Sequence, residues 1–570
     1  MLPPRTGLLA FAVAGFLGLT AGAAISLSSI GQAQADRSSD PAPKMEAKAN
    51  PLAAEPQQSA STSGENGKIL RRGNVAEPDT LDPQKYGLSY ESEIMRDLFV
   101  GLVGIDAKAH LIPGAAESWK ISDDGRVYTL KMRKGHLWSD GTPVTAQDAV
   151  FGIRRALDPK TNAQFANLAY KIENAFQVNT QGLDPQQLGV RALDDETVEI
   201  TLDRPSPVLL NLLSIPLLFP VPVHAIKKYG DGWVKPGQMV SNGAFTLEEW
   251  RPNNYIRVKK NPHFYDAANV ALEQIYYFPI ESDNTAIKKF RAGEIDFNAR
   301  FVHQDAQWLR QNMPAAMRMT TASWVTYLVV NQKLDKFKDP RVRKAMSMLI
   351  DRESICQRIL GLGEVPAYGI VPPVVTGYQG AELDFRNLDL ETRQQQARAL
   401  LAEAGYGPGN PLTFEMRYRT GTTNKMVAVA IQQAWGRANI RAQLAVSEVK
   451  VHYNDLREKN FEVADAGWIG PIDPEYFIYL VRTDSTETNY GSYSNAEYDR
   501  LAREGEGMID LPQRYATFAA AEKIALDETA IIPILFNVNR NLVSPRLTGF
   551  ENNAQDIHPS RFMRLDVTTQ

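Results

Sequence analysis

The sequence predicts a mixed α/β fold in two lobes, each with its own sheet, and three observations lead there. Its 570 residues exceed a single domain at roughly 100 to 200 residues apiece. Apolar residues make up 44% and charged residues 22%, the composition of a chain that folds in water around large cores. Short alternating strands and amphipathic helices recur in both halves, with no repeat of roughly 20 to 50 residues that would indicate a solenoid.

Arg5 precedes an apolar run from Gly7 to Leu27, and Ala33-Gln-Ala35 stands before Asp36. Positive charge, apolar core and a small-residue triplet in that order predict a secretory signal over residues 1–35, with an uncleaved anchor as the alternative. Residues 36–67 hold no aromatic side chain and are rich in Ala, Ser, Pro and Gln. They cannot bury enough apolar surface to offset chain entropy, so a disordered leader is expected. Val127–Arg133 alternates as a half-buried strand. Thr145 with Asp148 three residues later forms a capping box that starts a helix, and Asp158-Pro159 stops it. Val198–Leu202 and Tyr255–Lys259 read as strands, and Tyr327–Asn331 as a buried one. From Pro340 the pattern turns helical: Asp351 caps a helix reaching Leu360, and residues 391–404 form a helix closed by Gly405. Phe461–Trp468 returns to strand.

The search for chemistry gives mostly exclusions. Lysine plus arginine (62) against aspartate plus glutamate (66) leaves a net charge of −4, which argues against a nucleic-acid partner. Cys356, the only cysteine, forms no internal disulfide and reads as a core or boundary residue. The seven histidines never stand at the helical spacing of metal ligands. No G-x-S-x-G, H-E-x-x-H, P-loop or G-x-G-x-x-G occurs. Neither an enzyme nor a metal or other cofactor is expected.

Ordered blocks then carry a resemblance. They are Leu81-Asp-Pro83, Arg96–Leu102, Ala115–Trp119, Leu137–Asp148, Ser241–Phe245, Arg291–Asp296, Asp339–Ala345, Pro366–Gly369, Leu400–Tyr406 and Ala466-Gly-Trp468. In this order and over residues 68–570 the chain resembles the family 5 extracellular solute-binding proteins of ABC importers, and within them the periplasmic oligopeptide-binding proteins. The resemblance implies a large two-lobed, three-domain periplasmic-binding-protein fold of the cluster C type, with a ligand cleft between the lobes. It implies a discontinuous first domain (68–100, 219–325 and 537–570), an inserted second (101–218) and a third (326–536). It also implies a monomeric periplasmic receptor that binds peptides and passes them to a permease and its ATPase, touching the membrane only through that permease.

Two main-chain rails are implied, the loop Tyr86-Gly87-Leu88-Ser89 and the strand Gly467-Trp468-Ile469, with Phe165 and Asn537 as wall candidates. The chain departs from its relatives at the charged positions. Where oligopeptide binders carry an aspartate three residues after the Gly-Trp tryptophan, this chain has Pro471; where some carry an arginine three before it, this chain has Asp465. Asp465 or Asp473 is then the candidate for a ligand amine and Arg457 for its carboxylate, while either acid serves equally as a local ion-pair or turn partner. Strand alternation places Asp465, Gly467 and Ile469 on one face and Ala466 with Trp468 on the other. A modified or cell-wall peptide, an opine-like compound or a sugar is the alternative solute, and a peptide or glycan hydrolase on the same fold the alternative class.

Overall fold

The computed structural model describes residues 68–566; the expected signal segment and leader lie outside them. One mixed sheet of eleven strands organises the fold. Its strands are β1 (Ile69–Asn74), β2 (Phe245–Arg251), β3 (Tyr255–Lys260), β4 (Gln274–Pro279), β5 (Phe297–Asn298) and β6 (Met317–Val330). They continue as β7 (Val365–Pro366), β8 (Leu412–Arg419), β9 (Ile440–Ser447), β10 (Val463–Ile469) and β11 (Ile532–Val543). The spatial order is β9-β8-β10-β6-β11-β5-β1-β4-β3-β2, with β7 paired to β11 off this path.

The two lobes share this sheet, which corrects the expectation of a separate sheet in each. A large core runs from Val325 to Phe536, and another gathers residues 70–297 with Val543, Leu547, Met563 and Leu565. A small third cluster includes Ile280, Phe290, Leu309 and Leu542. The sheet stays continuous because β6 and β11 run antiparallel through both lobes. Met317–Thr321 pairs with Leu542–Val538, and Val325–Leu328 with Phe536–Ile532. Between these two stretches the register shifts, leaving Ala322, Ser323 and Trp324 bulged opposite Asn537. A bulge bends its strand and sharpens the local twist. Here Asn537 Nδ2 spans it, donating to Thr326 Oγ1 at 2.8 Å.

Local chemistry explains the elements that frame this crossing. The helix α1 (Ser89–Leu98) follows the loop at Tyr86. In α2 (Ala146–Leu157) the Asp148 carboxylate accepts the Thr145 N–H at 2.9 Å, the capping box read from sequence. The next helices are α3 (Pro340–Met348), capped by Asp339, and α4 (Leu390–Glu403), capped by Asp389 and followed by Gly405 at φ +87°. The predicted 352–360 helix is divided: Asp351 caps Arg352–Ser354, and Ile355–Leu360 continues as a π-turn. Cys356 is buried in that turn, and burial pushes its thiol up to about 12. A separate four-stranded sheet (Ala116–Ile121, Val127–Met132, Thr197–Thr201, Val190–Asp194) packs in the residue 70–297 core. Among the described residues no helix is long and apolar enough to cross a membrane, and no cluster of His, Cys, Asp or Glu is placed to hold a metal ion.

Candidate functional site: a two-part cavity at the lobe crossing

Two contiguous cavities open beside the bulge. The larger, about 560 Å³, lies between Ser89 and Tyr90 at the start of α1, Phe297 in β5 and Ala299 just after it, and Ile469 at the end of β10. The smaller, about 170 Å³, is lined by His303, Arg419, Asp465 and Asn537 among others. Trp324, Val538 and Arg540 line both. A volume of several hundred Å³ suits a small-molecule or peptide ligand.

The β10 strand supplies backbone to this space. β8 pairs with β10 only at Met416↔Val463 and Arg417↔Ala464, whereas β6 pairs with it through Ile469. Beyond Ala464 the edge facing away from β6 therefore has no strand beside it. The Asp465 carbonyl turns toward that edge and accepts from His452 Nε2 at 2.8 Å; the Gly467 carbonyl lies 3.5 Å from Tyr453 Oη. Gly467 and Ile469 thus offer polar backbone that an extended ligand can pair with. A Cβ on Gly467 would lie 2.8 Å from Trp324 Nε1 and 3.4 Å from Arg419 Nη1. Only glycine lets those two side chains close over the strand.

The side chains of β10 alternate as expected. Asp465 and Ile469 face the cavities, while Ala466 is fully buried and Trp468 packs against the Val325–Phe536 core. Trp468 is therefore a packing residue that lines neither cavity and whose backbone is paired with Val325 of β6. The loop before α1 also needs correcting as a rail. The Glu91 carboxylate accepts the N–H groups of Gly87 (2.9 Å) and Leu88 (3.1 Å), so those donors are already used. Tyr86 packs against Phe165 with the rings tilted by 48° and their centroids 5.2 Å apart, and neither lines the two cavities. Of that loop, Ser89 alone reaches the larger one.

The candidate charges are mostly occupied. Asp465 accepts from the Arg419 backbone N–H at 2.9 Å and from its Nε at 2.9 Å, and His452 approaches to 3.3 Å. Burial lowers the Arg419 pKa, but Asp465 and Tyr453 outweigh it and hold the guanidinium above its ordinary value. Asp473 lies outside the cavities, buried, with its oxygens 2.7 and 2.8 Å from the guanidinium of Arg514. Arg457 is a surface residue, hydrogen-bonded to Asn454. Asn537 does line the smaller cavity.

Sequence reasoning missed Arg540, His303, Glu364 and Trp324. Arg540 Nη1 donates to His303 Nδ1 at 2.7 Å, since a guanidinium has only donors. His303 then carries its proton on Nε2 and gives it to Glu364 Oε1 at 2.8 Å. Burial alone would raise the Glu364 pKa, but the bonds from His303 and the Leu362 N–H hold it below the ordinary carboxylate value. The available signal was composition. Asn537-Val-Asn-Arg-Asn541 follows the apolar Ile532-Pro-Ile-Leu-Phe536 within one strand, and a polar run in the middle of a buried sheet calls for a partner.

The arrangement matches known proteins. Residues 110–489 fit the model of the bacterial extracellular solute-binding proteins, family 5. The probable deoxycholate-binding periplasmic protein YgiS of Escherichia coli K12 is 35% identical over 494 residues, 86% of this chain and 92% of that protein. The periplasmic oligopeptide-binding protein OppA of Salmonella typhimurium LT2 is 35% identical over 488 residues, 85% of this chain and 90% of its own. The solved structure of the Escherichia coli murein tripeptide-binding protein MppA shares 34% identity, 88% of this chain and 98% of that one, at a TM-score of 0.75. With most of each chain covered, the chain belongs to the family 5 bacterial extracellular solute-binding proteins.

Proposed function

We propose that this chain is the solute receptor of an ABC importer, and that its solutes are peptides held in the two cavities at the lobe crossing. The observation that carries this reading is the edge of β10 from Asp465 to Ile469, which has no neighbouring strand and whose two ends line the smaller and the larger cavity. Main-chain pairing gives affinity with little dependence on side chains, and the larger cavity leaves room for them. The names of OppA and MppA support the same class. The receptor acts in the periplasm after loss of residues 1–35, returns its ligand intact and hands it to a permease driven by a separate ATPase. Its three domains follow the boundaries expected from sequence; the change of core near Val325 and Phe536 supports the limits of the third. Closure works by population shift, because a ligand touching both lobes stabilises the closed state.

A second reading has an observation in its favour. Asp465 and Asp473 are both paired with arginines, so no candidate acid is free for a ligand amine. That favours a carboxylate lacking an amine, of the kind named for YgiS. Thermal denaturation separates the two. Saturating peptides of two to five residues raise the melting temperature by linkage, with about 2.7 kcal/mol of stabilisation at a hundredfold excess over Kd. No shift with peptides, beside a shift with deoxycholate, would replace the peptide reading by the other. Mass spectrometry of the incubated peptide returns it unchanged; cleaved products would make the protein a hydrolase.

A further inference from the structure

We propose that Arg540 seats a carboxylate of the bound solute, so that the receptor selects its ligands by an anionic end and does not require a free amine. This deepens the reading above and rests on it for the choice of peptide probes. The shared chemistry is a carboxylate, whether it ends a peptide or an amphipathic acid.

The charges around the cavities are unequal in what they still lack. Of the arginines lining the larger cavity, Arg72 pairs with Glu93 at 3.0 Å and Arg300 with Asp283 at 2.7 Å. In the smaller one Arg419 pairs with Asp465. Arg540 stands in the wall common to both, and among the described residues its only hydrogen-bond acceptor is the neutral imidazole of His303. Glu364 is held one residue away, behind that imidazole. The other guanidinium N–H groups have no protein acceptor among the described residues. Two parallel N–H donors are the geometry that receives a carboxylate. Burial pushes the Arg540 pKa down, with Glu364 and Asp283 acting in the opposite direction. An incoming anion offsets that cost.

A second feature of the smaller cavity has the same sign. The helix α5 (Thr422–Gly436) begins there, with Thr423 and Asn424 of its first turn in the wall. Its N-cap is Gly421, which has no side chain to accept the first-turn N–H groups. Helix N-termini left in this way favour negative charge. No carboxylate is correspondingly free: Asp465 and Glu364 in the smaller cavity, and Glu93 and Asp556 in the larger, all have partners.

Calorimetry on one peptide in free, N-acetylated and C-amidated forms, together with deoxycholate and its uncharged methyl ester, tests the assignment. Acetylation is expected to change Kd by less than threefold. Amidation should weaken binding at least tenfold. In Arg540→Gln the free and amidated forms should bind alike, while Arg540→Lys keeps part of the preference; melting temperatures without ligand confirm that both variants fold. Equal binding of free and amidated peptide by the native protein, or loss of binding on acetylation, overturns the proposal. If no peptide form binds, the peptide reading fails by itself and the deoxycholate pair decides. Preference for the acid, lost in Arg540→Gln, upholds the assignment; binding of both alike, or of neither, overturns it.

Discussion

The cleft is held at its two ends by different forces. At the crossing, β6 and β11 join the lobes through backbone ladders and the Asn537 amide, with no ion pair in the joint itself. At the rim, Lys171 pairs with Glu475, and Arg204 lies 3.3 Å from Glu506. Behind them Arg514 bonds Asp473 and Glu475, and Tyr476 packs against both large cores. Backbone hydrogen bonds inside a sheet do not respond to salt, whereas partly exposed charges do. The difference teaches that the crossing fixes which surfaces face each other, while the rim can part without unfolding either lobe.

Four substitutions sharpen or break that contrast, from the largest effect to the smallest. Arg514→Met leaves Asp473 buried without its cation, takes one of two cations from Glu475, and should cost about 3 to 5 kcal/mol, read by denaturant unfolding. A small loss would mean that the rim network is solvated and not part of the scaffold. Asp465→Asn removes the partner of Arg419 and should cost about 2 to 3 kcal/mol of stability. Calorimetry should find ligand affinity changed less than threefold, and a larger change would return Asp465 to the ligand. Asn537→Ala deletes the amide across the bulge and should cost about 1 kcal/mol, as one neutral hydrogen bond does. Lys171→Met should cost the least of the four, because Glu475 keeps its bond to Arg514 and burial already disfavours the Lys171 ammonium; a loss larger than that of Asn537→Ala would contradict this. The Lys171 substitution should also reduce the salt dependence of lobe closure, measured by energy transfer between dyes on engineered surface cysteines. Buried Cys356, with its thiol pushed up to about 12, stays unlabelled in that assay.

Local rules were legible in the sequence where one residue decides. The capping box of Thr145 and Asp148, the stop at Asp158 and the helix end at Gly405 all formed as expected. The start of β6 was not legible, because Met317–Trp324 runs through the crossing and is only partly covered by apolar neighbours. Helical periodicity could not distinguish the π-turn at Ile355–Leu360 from an ordinary helix, since the apolar positions are the same in both. At the site, alternation put Asp465, Gly467 and Ile469 on one face, and only the structure shows that Asp465 and Ile469 line the cavities. The pairings that decide whether a charge is free, Arg419 with Asp465 and Arg514 with Asp473, join residues 46 and 41 apart along the chain. No spacing rule reaches that far. Arg540 meets His303 from still further, 237 residues away.

A solute bound between the lobes should draw them together about the β6–β11 crossing. Small-angle X-ray scattering with and without saturating ligand tests it most directly, on samples whose occupancy is fixed by calorimetry. The radius of gyration should be smaller at full occupancy, and the change should reverse when the ligand is dialysed away. An unchanged radius at proven saturation would contradict such closure and place the binding site on one lobe alone.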